Sequence, residues 1–304
     1  LGCMNFGRRT PRVEALQIAE AAIEGGIGLL DTANMYADGA SEKIVGEALR
    51  GRREQVLVAT KVGAARVGGR AEGLDPKRIL AACDESRTRL GVEVIDLYYL
   101  HTPDPLTPAA ASVDAIATLL DSGRIRHWGV SNHASWQILA LRGLAAERGI
   151  APPAVAQQLY NPLIRQLDLE YFRFAMTYGV HTTIYNPLAA GLLAGVHDPD
   201  APPAKGGRFH RNSMYKRRYW RPAMFAAVEA LRELADGAGL SLLELAYGFA
   251  MDHPGVDSVL IGPATMDHLE TALQARTVTL TEPVRASMAR IYADLIGTDA
   301  SYAR

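Results

Sequence analysis

An acid, a phenol, a lysine and a histidine follow three successive apolar runs of this chain. Asp31 and Tyr36 occur in LLDTANMY, Lys61 in VLVATKV and His101 in IDLYYLH. A lysine is costly to bury unless an anion such as Asp31 faces it, and a cation beside a tyrosine favours the phenolate. Taken singly, these residues have ordinary explanations as a cap, a loop aromatic, a solvated strand end and a loop histidine. Taken together, they predict a proton donor, Tyr36, that a buried ion pair tunes.

The spacing of these residues indicates how the fold brings them together. Lys61 follows Asp31 by thirty residues and His101 follows Lys61 by forty, which is about one strand-plus-helix unit in each case. The apolar runs are typical of buried parallel strands. Because barrels of parallel strands carry their active sites at the carboxyl ends of the strands, we expect all four side chains at one end of such a barrel.

Strand-like and helix-like segments alternate along the whole chain. Apolar runs of the β type cover residues 1–4, 27–31, 56–62, 95–101, 125–131, 155–160, 180–186 and 256–261. Helical patterns lie between them, and several begin at Ser, Thr or Asp and end at Gly. Two further helical patterns cover 221–237 and 283–295. We therefore predict an α/β fold, a (β/α)8 TIM barrel with two extra helices, as a single domain over residues 1–304.

The composition favours a protein that acts on small molecules. The 304-residue chain has a formal net charge of −1, which provides no long-range attraction to nucleic acid or anionic lipid. Cys3 and Cys83 are its two cysteines, and they provide neither a disulfide framework nor a metal cluster, so we expect no metal site. No apolar run approaches the roughly 18 to 20 residues of a membrane span. We expect a small-molecule substrate, no nucleic-acid or membrane partner, and a cytoplasmic location.

Six motifs occur in order along the chain: DTANMY with SEKIVGEAL, ATK, DLYYLH, GVSNHASW, QQLYN and YNPLAAGLL. They resemble, nearly end to end, the strand-end signatures of the aldo-keto reductases, which are NAD(P)H-dependent carbonyl reductases built on this barrel. GRFHRNS, YKRRYW and the final SYAR are most similar to the aflatoxin-aldehyde and succinic-semialdehyde reductase branch. The resemblance implies reduction of aldehydes or ketones to alcohols by hydride transfer.

The resemblance assigns a catalytic role to each of the four residues. Tyr36 would be the general acid that protonates the carbonyl oxygen, a task for which an ordinary tyrosine, with a pKa of about 10, is poorly suited at neutral pH. Lys61, paired with Asp31, would supply the charge that lowers this pKa. His101 would hydrogen-bond the substrate oxygen and fix its angle to the cofactor.

The resemblance also implies a cofactor-binding set and a substrate-binding set. The cofactor set comprises Ser131, Asn132 and Gln157 at the nicotinamide carboxamide, Tyr185 against the nicotinamide ring, Leu188, Gly191 and Leu193 near the pyrophosphate, and Gly262, Thr265 and His268 at a helix N-terminus. The substrate set comprises Met35, Arg218, Trp220 and Arg304. The guanidinium groups of this second set suit a carboxylate because their donors form a planar fork.

The region after the last strand departs from the family pattern. Residues 264–266 read ATM where the family often places a lysine or arginine for the 2′-phosphate of NADPH. Residues 270–272 read ETA where an asparagine for the adenine is expected. We expect NADPH as the cofactor, with NADH as the alternative, and Arg276 or a basic residue of 205–221 as the phosphate partner. The resemblance implies a homodimer as the candidate assembly.

Two other functions fit part of the pattern. A barrel lyase or aldolase would use Lys61 as a Schiff-base nucleophile, which leaves SN, QQLYN and YNPL without a task. A nucleotide-sensing protein like the potassium-channel β subunits would share the fold and bind the cofactor with slow turnover.

The glycine-rich stretch GAARVGGRAEG lacks the Lys-Ser/Thr ending of a P-loop, and we interpret it as a mobile loop.

Overall fold

Strands and helices alternate along residues 1–298, the part of the chain that the computed structural model describes. The strands are β1 (Leu29–Asp31), β2 (Leu57–Val62), β3 (Arg66–Val67), β4 (Arg70–Ala71), β5 (Ile95–Leu100), β6 (Ile125–Ser131), β7 (Val155–Leu159), β8 (His181–Tyr185) and β9 (Ser258–Leu260). The α-helices are α1 (Arg12–Glu24), α2 (Ala40–Ala48), α3 (Pro76–Leu90), α4 (Ala109–Asp121), α5 (Ser135–Glu147), α6 (Tyr171–Tyr178), α7 (Ser213–Tyr219), α8 (Pro222–Gly237), α9 (Leu242–Met251), α10 (Met266–Gln274) and α11 (Glu282–Ile296). Within these residues, no helix is long and apolar enough to cross a membrane.

Seven of the strands form one sheet, and their order in the sheet, β1-β2-β5-β6-β7-β8-β9, is their order in the chain. The successive pairs from β1 to β7 are parallel. In their register, Lys61 lies opposite Tyr99 and Ser131 lies opposite Gln157. The polar residues at the ends of neighbouring strands therefore lie at the same edge of the sheet, as the spacing of the motifs predicts.

Local sequence signals explain where individual helices begin and end. Asp75 caps α3 by accepting a hydrogen bond from the backbone nitrogen of Lys77 at 3.0 Å. Gly91 follows the end of α3 with a φ of 65°, a left-handed conformation that glycine adopts at little cost. At the start of α9, Ser241 and Glu244 form a capping box in which each side chain accepts from the other's backbone N–H. These caps satisfy amide groups that a helix leaves without a partner.

The predicted alternation is confirmed within residues 1–298, with three differences. The first apolar run contributes a single parallel bridge at Gly2 where we expect a strand. The stretch interpreted as a mobile loop forms the antiparallel hairpin β3–β4, because Gly68 and Gly69 adopt φ of 57° and 80° and close a two-residue turn. The pattern does not predict α7, whose buried side consists of Tyr215 and Tyr219 within a basic stretch.

The chain divides into two compact units. Unit 1 comprises Leu1–Gln158, Tyr178–Thr183 and Leu260–Leu269, and unit 2 comprises Leu159–Thr177, Ile184–Val259 and the chain from Glu270 onward. Large aromatic side chains are fully buried in each unit: Phe6, Tyr98 and Trp128 in unit 1, and Tyr160, Phe209 and Tyr219 in unit 2. The single domain over residues 1–304 stays a prediction.

Candidate active site

A buried ion pair joins the ends of the first two strands of the sheet. The ammonium group of Lys61, at 0% exposure, pairs with Oδ1 of Asp31 and donates a second hydrogen bond to the carbonyl oxygen of Thr32 at 2.8 Å. Burying a charged lysine is unfavourable unless anions and acceptors replace the lost water. Asp31 and Thr32 do this, and they confirm that Lys61 is not a solvated strand end.

The second carboxylate oxygen of Asp31 is held from β7. Nε2 of Gln157 donates to Oδ2 of Asp31 at 2.9 Å, and both side chains are buried. The family resemblance assigns Gln157 to the cofactor, and the sequence gives no sign of its contact with Asp31. Gln157 is 126 positions from Asp31, so the periodicity of the sequence does not indicate this contact. The signal that could have found it is the register that aligns the ends of parallel strands.

Tyr36 lies beside the ammonium group of Lys61. The Nζ atom of Lys61 is 5.4 Å from the centre of the Tyr36 ring and 5.5 Å from the centre of the Tyr99 ring. Tyr99 is fully buried in β5, and burial raises its pKa well above that of an ordinary tyrosine, with the negative charge of Asp31 adding to the effect. Tyr36 is partly exposed, so of these two phenols it is the one that is accessible from outside the protein.

The backbone directly after Tyr36 is strained. Ala37 and Asp38 have φ of 48° and 52°, a left-handed conformation that costs residues with a side chain about 1 kcal/mol or more each. Such residues persist where the surrounding structure holds them. Met35, on the other side of Tyr36, is 39% exposed and is accessible for a substrate contact.

His101 completes the group with its ring edge-on to Tyr36. The two ring centres are 5.9 Å apart with an interplanar angle of 82°. Burial, helped by the positive charge of Lys61, lowers the pKa of His101 to about 3, so its imidazole is neutral at physiological pH. Its Nδ1 atom is buried and has no hydrogen-bond partner among residues 1–298.

Ser131 and Asn132 follow β6 and reach the same group. Nδ2 of Asn132 donates to the carbonyl oxygen of His101 at 2.9 Å and to Oγ of Ser131 at 3.0 Å. Asn132 has a φ of 62°, and asparagine tolerates this conformation better than most residues. Unit 1 thus brings together the four predicted catalytic residues and three of the predicted cofactor residues.

The predicted phosphate-binding residues of unit 1 lie where α10 begins. Oγ1 of Thr265 accepts a hydrogen bond from the backbone nitrogen of His268 at 3.4 Å, and Nδ1 of His268 accepts from the backbone nitrogen of Ala264 at 3.3 Å. The carbonyl oxygen of Gly262 accepts from the side chain of Asn5 at 3.0 Å. These bonds join the N-terminal segment to the loop after β9 and shape the first turn of the helix.

In unit 2, Tyr185 and Arg218 are in contact. Burial raises the pKa of Tyr185 to about 12, and the guanidinium of Arg218, which hydrogen-bonds to the phenol, opposes this effect. Trp220 packs against Phe209 and His197, with ring centres 4.9 Å and 5.4 Å apart. Tyr185 is therefore in contact with the basic stretch of residues 205–221. The sequence alone does not indicate that the two are connected. Arg304 lies outside the described residues.

The loop after β8 is compact and carries left-handed residues. Ala189, Ala190 and Gly191 have φ of 50°, 60° and 95°. The backbone nitrogens of Gly191 and Leu193 both donate to the carbonyl oxygen of Leu188, at 2.8 Å and 3.2 Å. These two amides are therefore engaged within the loop, and a pyrophosphate would have to compete with Leu188 for them.

One feature of unit 1 has no counterpart in the sequence predictions. Glu72, in the hairpin segment, is fully buried and accepts a hydrogen bond from Asn34, which stands two residues before Tyr36. Apolar periodicity does not indicate a buried carboxyl group in a glycine-rich stretch. In addition, no group of three or more His, Cys, Asp or Glu residues that could hold a metal ion occurs within residues 1–298.

Comparison with protein families shows what this geometry belongs to. The model of the Aldo/keto reductase family matches residues 1–293. The chain belongs to the aldo/keto reductase family. Aflatoxin B1 aldehyde reductase member 2 from Homo sapiens is 32% identical over 292 residues, which cover 90% of this chain and 80% of that relative. A probable voltage-gated potassium channel subunit beta from Arabidopsis thaliana is 29% identical over 279 residues, which cover 90% and 84%.

Among solved structures, a glycerol dehydrogenase from Gluconobacter oxydans matches this aldo/keto reductase with a TM-score of 0.82 and 27% identity, covering 100% of this chain and 94% of that one. The predicted fold class, a (β/α)8 barrel, is confirmed. Family membership supports an oxidoreductase that reduces small carbonyl compounds with a nicotinamide cofactor.

Proposed function

We propose that this aldo/keto reductase is an NADPH-dependent reductase of aldehydes or ketones in which Tyr36 is the general acid. The observation that carries the proposal is the fully buried ammonium of Lys61, which is paired with Asp31 and lies 5.4 Å from the Tyr36 ring. A positive charge at this distance stabilises the phenolate that remains after the proton has moved to the carbonyl oxygen. The ion pair is buried, so solvent screens this charge little.

His101 is proposed to hold the carbonyl oxygen. A neutral imidazole carries one N–H, and a buried N–H without a partner is unfavourable. Because Nδ1 of His101 is buried without a partner among residues 1–298, the tautomer with the proton on Nε2 is favoured. That N–H would donate to the substrate oxygen without adding a charge to the site. A neutral His101 also leaves Lys61 as the cation next to Tyr36.

The residues present fit a nicotinamide cofactor. Ser131 and Asn132 present a hydroxyl and an amide beside His101, and the left-handed φ of Asn132 is the kind of strain found at ligand sites. Reduced nicotinamide, when bound, supplies hydride to the carbonyl carbon. Ser131, Asn132 and Gln157 would hold the carboxamide of that ring. The remaining cofactor residues keep the roles that the family resemblance assigns.

The experiment that tests the proposal compares two tyrosines beside the same lysine. Tyr36→Phe is expected to lower turnover of a carbonyl substrate by about 10²- to 10⁴-fold, because the transferable proton is lost while ring packing is kept. Cofactor affinity, measured by quenching of protein fluorescence, should stay close to that of the unmodified protein. Tyr99→Phe is the matched control and should retain most of the turnover. Near-normal turnover of Tyr36→Phe would exclude Tyr36 as the acid.

NADPH is the proposed cofactor because the motifs are most similar to the aflatoxin-aldehyde reductase branch, and NADH is the alternative. Residues 264–266 contain no basic side chain for the 2′-phosphate, so Arg276 or a basic residue of 205–221 would have to supply that contact. Dissociation constants measured for the two cofactors under the same conditions decide between them. Tighter binding of NADH would overturn the proposed preference.

A nucleotide-sensing function is the second candidate, since a relative named as a potassium channel subunit beta is 29% identical to this chain. Such a protein would bind the cofactor and turn over slowly. Incubation with a panel of aldehydes and ketones, followed by loss of absorbance of the reduced cofactor, separates the two functions. Tight cofactor binding without measurable turnover on any member of the panel would favour the sensor.

A Schiff-base lyase is disfavoured by the environment of Lys61. A Schiff-base nucleophile needs a nitrogen that a carbonyl carbon can reach, whereas the Lys61 nitrogen is fully buried and bonded to Asp31 and Thr32. Borohydride added together with a carbonyl substrate should therefore leave the mass of Lys61-containing peptides unchanged. A covalent adduct on Lys61 would revive the lyase.

The proposed substrate is an aldehyde that carries a carboxylate. Arg218 is half-buried and would contact such a carboxylate, with Trp220 beside it in the sequence and Arg304 as the second arginine. A charged aldehyde should then have a kcat/KM roughly ten times that of its uncharged analogue of equal length, since a charge-assisted contact is worth about 1.5 to 3 kcal/mol. Arg218→Met should remove this advantage. Equal kcat/KM values in the unmodified protein would point to a neutral substrate.

The setting of this activity is also a proposal. We expect a homodimer in a reducing cytoplasm, with small-molecule substrates and without nucleic-acid or membrane partners. Sedimentation of the purified protein gives the assembly directly, and a purely monomeric species at working concentration would exclude the dimer.

A further inference from the structure

A buried carboxyl group lies in the segment that follows the hairpin β3–β4. Glu72 has a side chain at 0% exposure, and its two oxygens accept four hydrogen bonds. Oε1 accepts from Nδ2 of Asn34 at 2.7 Å and from Nε of Arg78 at 2.8 Å. Oε2 accepts from the backbone nitrogens of Gly63 and Ala65 at 2.7 Å and 3.2 Å. A carboxylate with this number of donors is satisfied without water.

Three of these bonds connect the loops that follow β1 and β2. Gly63 and Ala65 belong to the loop that starts two residues after Lys61, and Asn34 stands two residues before Tyr36. The backbone nitrogen of Asn34 also donates to the carbonyl oxygen of Lys61 at 3.2 Å. Glu72 therefore ties the segment that carries the proposed acid to the segment that carries the lysine.

The segment after Tyr36 is held from its other side as well. Oγ of Ser41 donates to the carbonyl oxygen of Cys3 at 2.8 Å and lies 2.8 Å from Oγ1 of Thr32. Tyr36 and the left-handed Ala37 and Asp38 thus lie between an anchor at Asn34 and an anchor at Ser41. A strained turn persists when its neighbours hold it, and Asn34 depends on Glu72 for its bond.

A chain of charges extends from Glu72 into α3. Arg78 donates to Glu72 and, through two further nitrogens, to both oxygens of Glu85 at 2.7 Å and 2.8 Å. Glu85 is 45% exposed, so its bond to Arg78 is partly screened by solvent. The pair lowers the pKa of Glu85 and raises that of Arg78. Glu85 shares a partner with Glu72 but has no contact with the segment that carries Tyr36 among the hydrogen bonds of residues 1–298.

We propose that Glu72 is a positioning residue that acts through Asn34 to hold Tyr36 beside Lys61. The inference rests on the proposed function, because it concerns the geometry of the proposed acid. When the Glu72–Asn34 bond is lost, Tyr36 moves away from the charge of Lys61, while the hairpin and α3 remain folded.

The test uses two single variants and their combination. Glu72→Gln replaces one acceptor oxygen by an NH2 group that faces donors, and Asn34→Ala removes one donor and leaves the other three. Both should lower kcat by roughly 10- to 100-fold, since displacement of a catalytic group by about 1 Å has effects of this size. Cofactor affinity should stay unchanged. The double variant should be no slower than the slower single variant, because both changes break the same bond.

A second readout does not depend on turnover. The phenolate absorbance of Tyr36 is obtained as the pH titration of each protein minus that of the same protein carrying Tyr36→Phe. In Glu72→Gln and in Asn34→Ala, the midpoint of this difference should move to higher pH by about one unit or more, since Lys61 is then farther away. Two titratable groups lie beside the Tyr36 ring, Lys61 at 5.4 Å from its centre and His101 with ring centres 5.9 Å apart.

Glu85→Gln is the matched control, with the same chemical change at the other partner of Arg78. It should lower the melting temperature slightly and leave kcat and the Tyr36 titration as they are in the unmodified protein. If Glu72→Gln and Asn34→Ala behave like Glu85→Gln, Glu72 stabilises the fold and positions nothing. If Glu72→Gln does not fold, Asn34→Ala decides alone. If the unmodified protein reduces no carbonyl compound, the proposed function fails, and the Tyr36 titration still decides the role of Glu72.

Discussion

Two aspartates of unit 1 are equally buried, at 2% exposure, and stand at opposite ends of the strands. Asp31 ends β1, and its ion-pair partner Lys61 is fully buried. Asp96 lies near the start of β5 and pairs with Arg53 at 2.8 Å and Arg126 at 3.1 Å, whose side chains are 26% and 56% exposed. The two carboxylates are therefore equally buried, whereas the lysine that pairs with Asp31 is fully buried and the arginines that pair with Asp96 are partly exposed.

The difference lies in how far solvent reaches the positive charge of each pair. The arginines beside Asp96 reach solvent, which screens their charge, and the backbone nitrogen of Val58 donates to Oδ2 of Asp96 at 2.8 Å. The charge of Lys61 instead lies 5.4 Å from the centre of the Tyr36 ring and helps to lower the pKa of His101. A cavity of about 430 Å³ lies at the Asp96 end, lined in part by Arg53 and Arg126.

The largest contrast should come from removing the buried cation. Lys61→Met is expected to lower turnover by about 10²- to 10⁴-fold and to move the pH optimum of the residual activity upward, because nothing then favours the phenolate of Tyr36. The unfolding free energy should fall by about 3 to 5 kcal/mol, since Asp31 is left buried without its partner. Steady-state kinetics against pH and chemical denaturation measure the two effects.

The double variant Asp31→Asn with Lys61→Met separates these effects. It removes both charges, so it should recover much of the stability and none of the turnover. Full recovery of turnover in the double variant would show that Lys61 only balances Asp31 and has no effect on Tyr36.

The next effect concerns His101 and appears as a dependence of stability on pH. Its pKa is about 3 in the folded protein and about 6.5 when unfolded, so between these values the unfolded chain binds a proton that the folded one does not. The unfolding free energy should therefore fall as the pH drops from about 6.5 toward 3, by about 1 kcal/mol per unit from this group. Denaturation of His101→Gln in parallel should show a shallower fall. Identical slopes for the two proteins would mean that His101 titrates normally.

A smaller effect is expected where the aspartate has solvent-exposed partners. Asp96→Asn should lower the unfolding free energy by about 1 to 3 kcal/mol, because a buried acceptor of the Val58 amide is weakened while both arginines can turn to water. Turnover should remain that of the unmodified protein, which steady-state kinetics would establish. A large loss of turnover in a folded Asp96→Asn protein would contradict the distinction between the two strand ends.

The smallest effect should belong to Arg126. Its side chain is 56% exposed, and solvent-screened pairs of this kind contribute about 0 to 1 kcal/mol. Arg126→Met should therefore change the denaturation midpoint little, and added salt should reduce the difference further. A loss as large as that of Lys61→Met would mean that exposure of the cation does not distinguish the two aspartates.

The sequence determined the elements of this protein and the types of its reactive residues. Apolar runs of strand length, helices with Asp, Ser and Gly at their ends, and the spacing of Asp31, Lys61 and His101 are local signals, since each depends on residues within one strand or one helical unit. Parallel strands then place these residues at one edge of the sheet, so their grouping follows from the order of the strands.

Only the tertiary structure decided which partner each polar group has. Gln157 on Asp31 spans 126 residues, Asn34 on Glu72 spans 38, and neither contact follows from the period of a helix or a strand. The tertiary structure also decided the burial of Glu72, which follows the hairpin that replaces a predicted mobile loop. The apolar pattern does not indicate that this residue is buried. Periodicity reports which side of an element faces the core, whereas hydrogen bonds between elements depend on how loops of different strands approach one another.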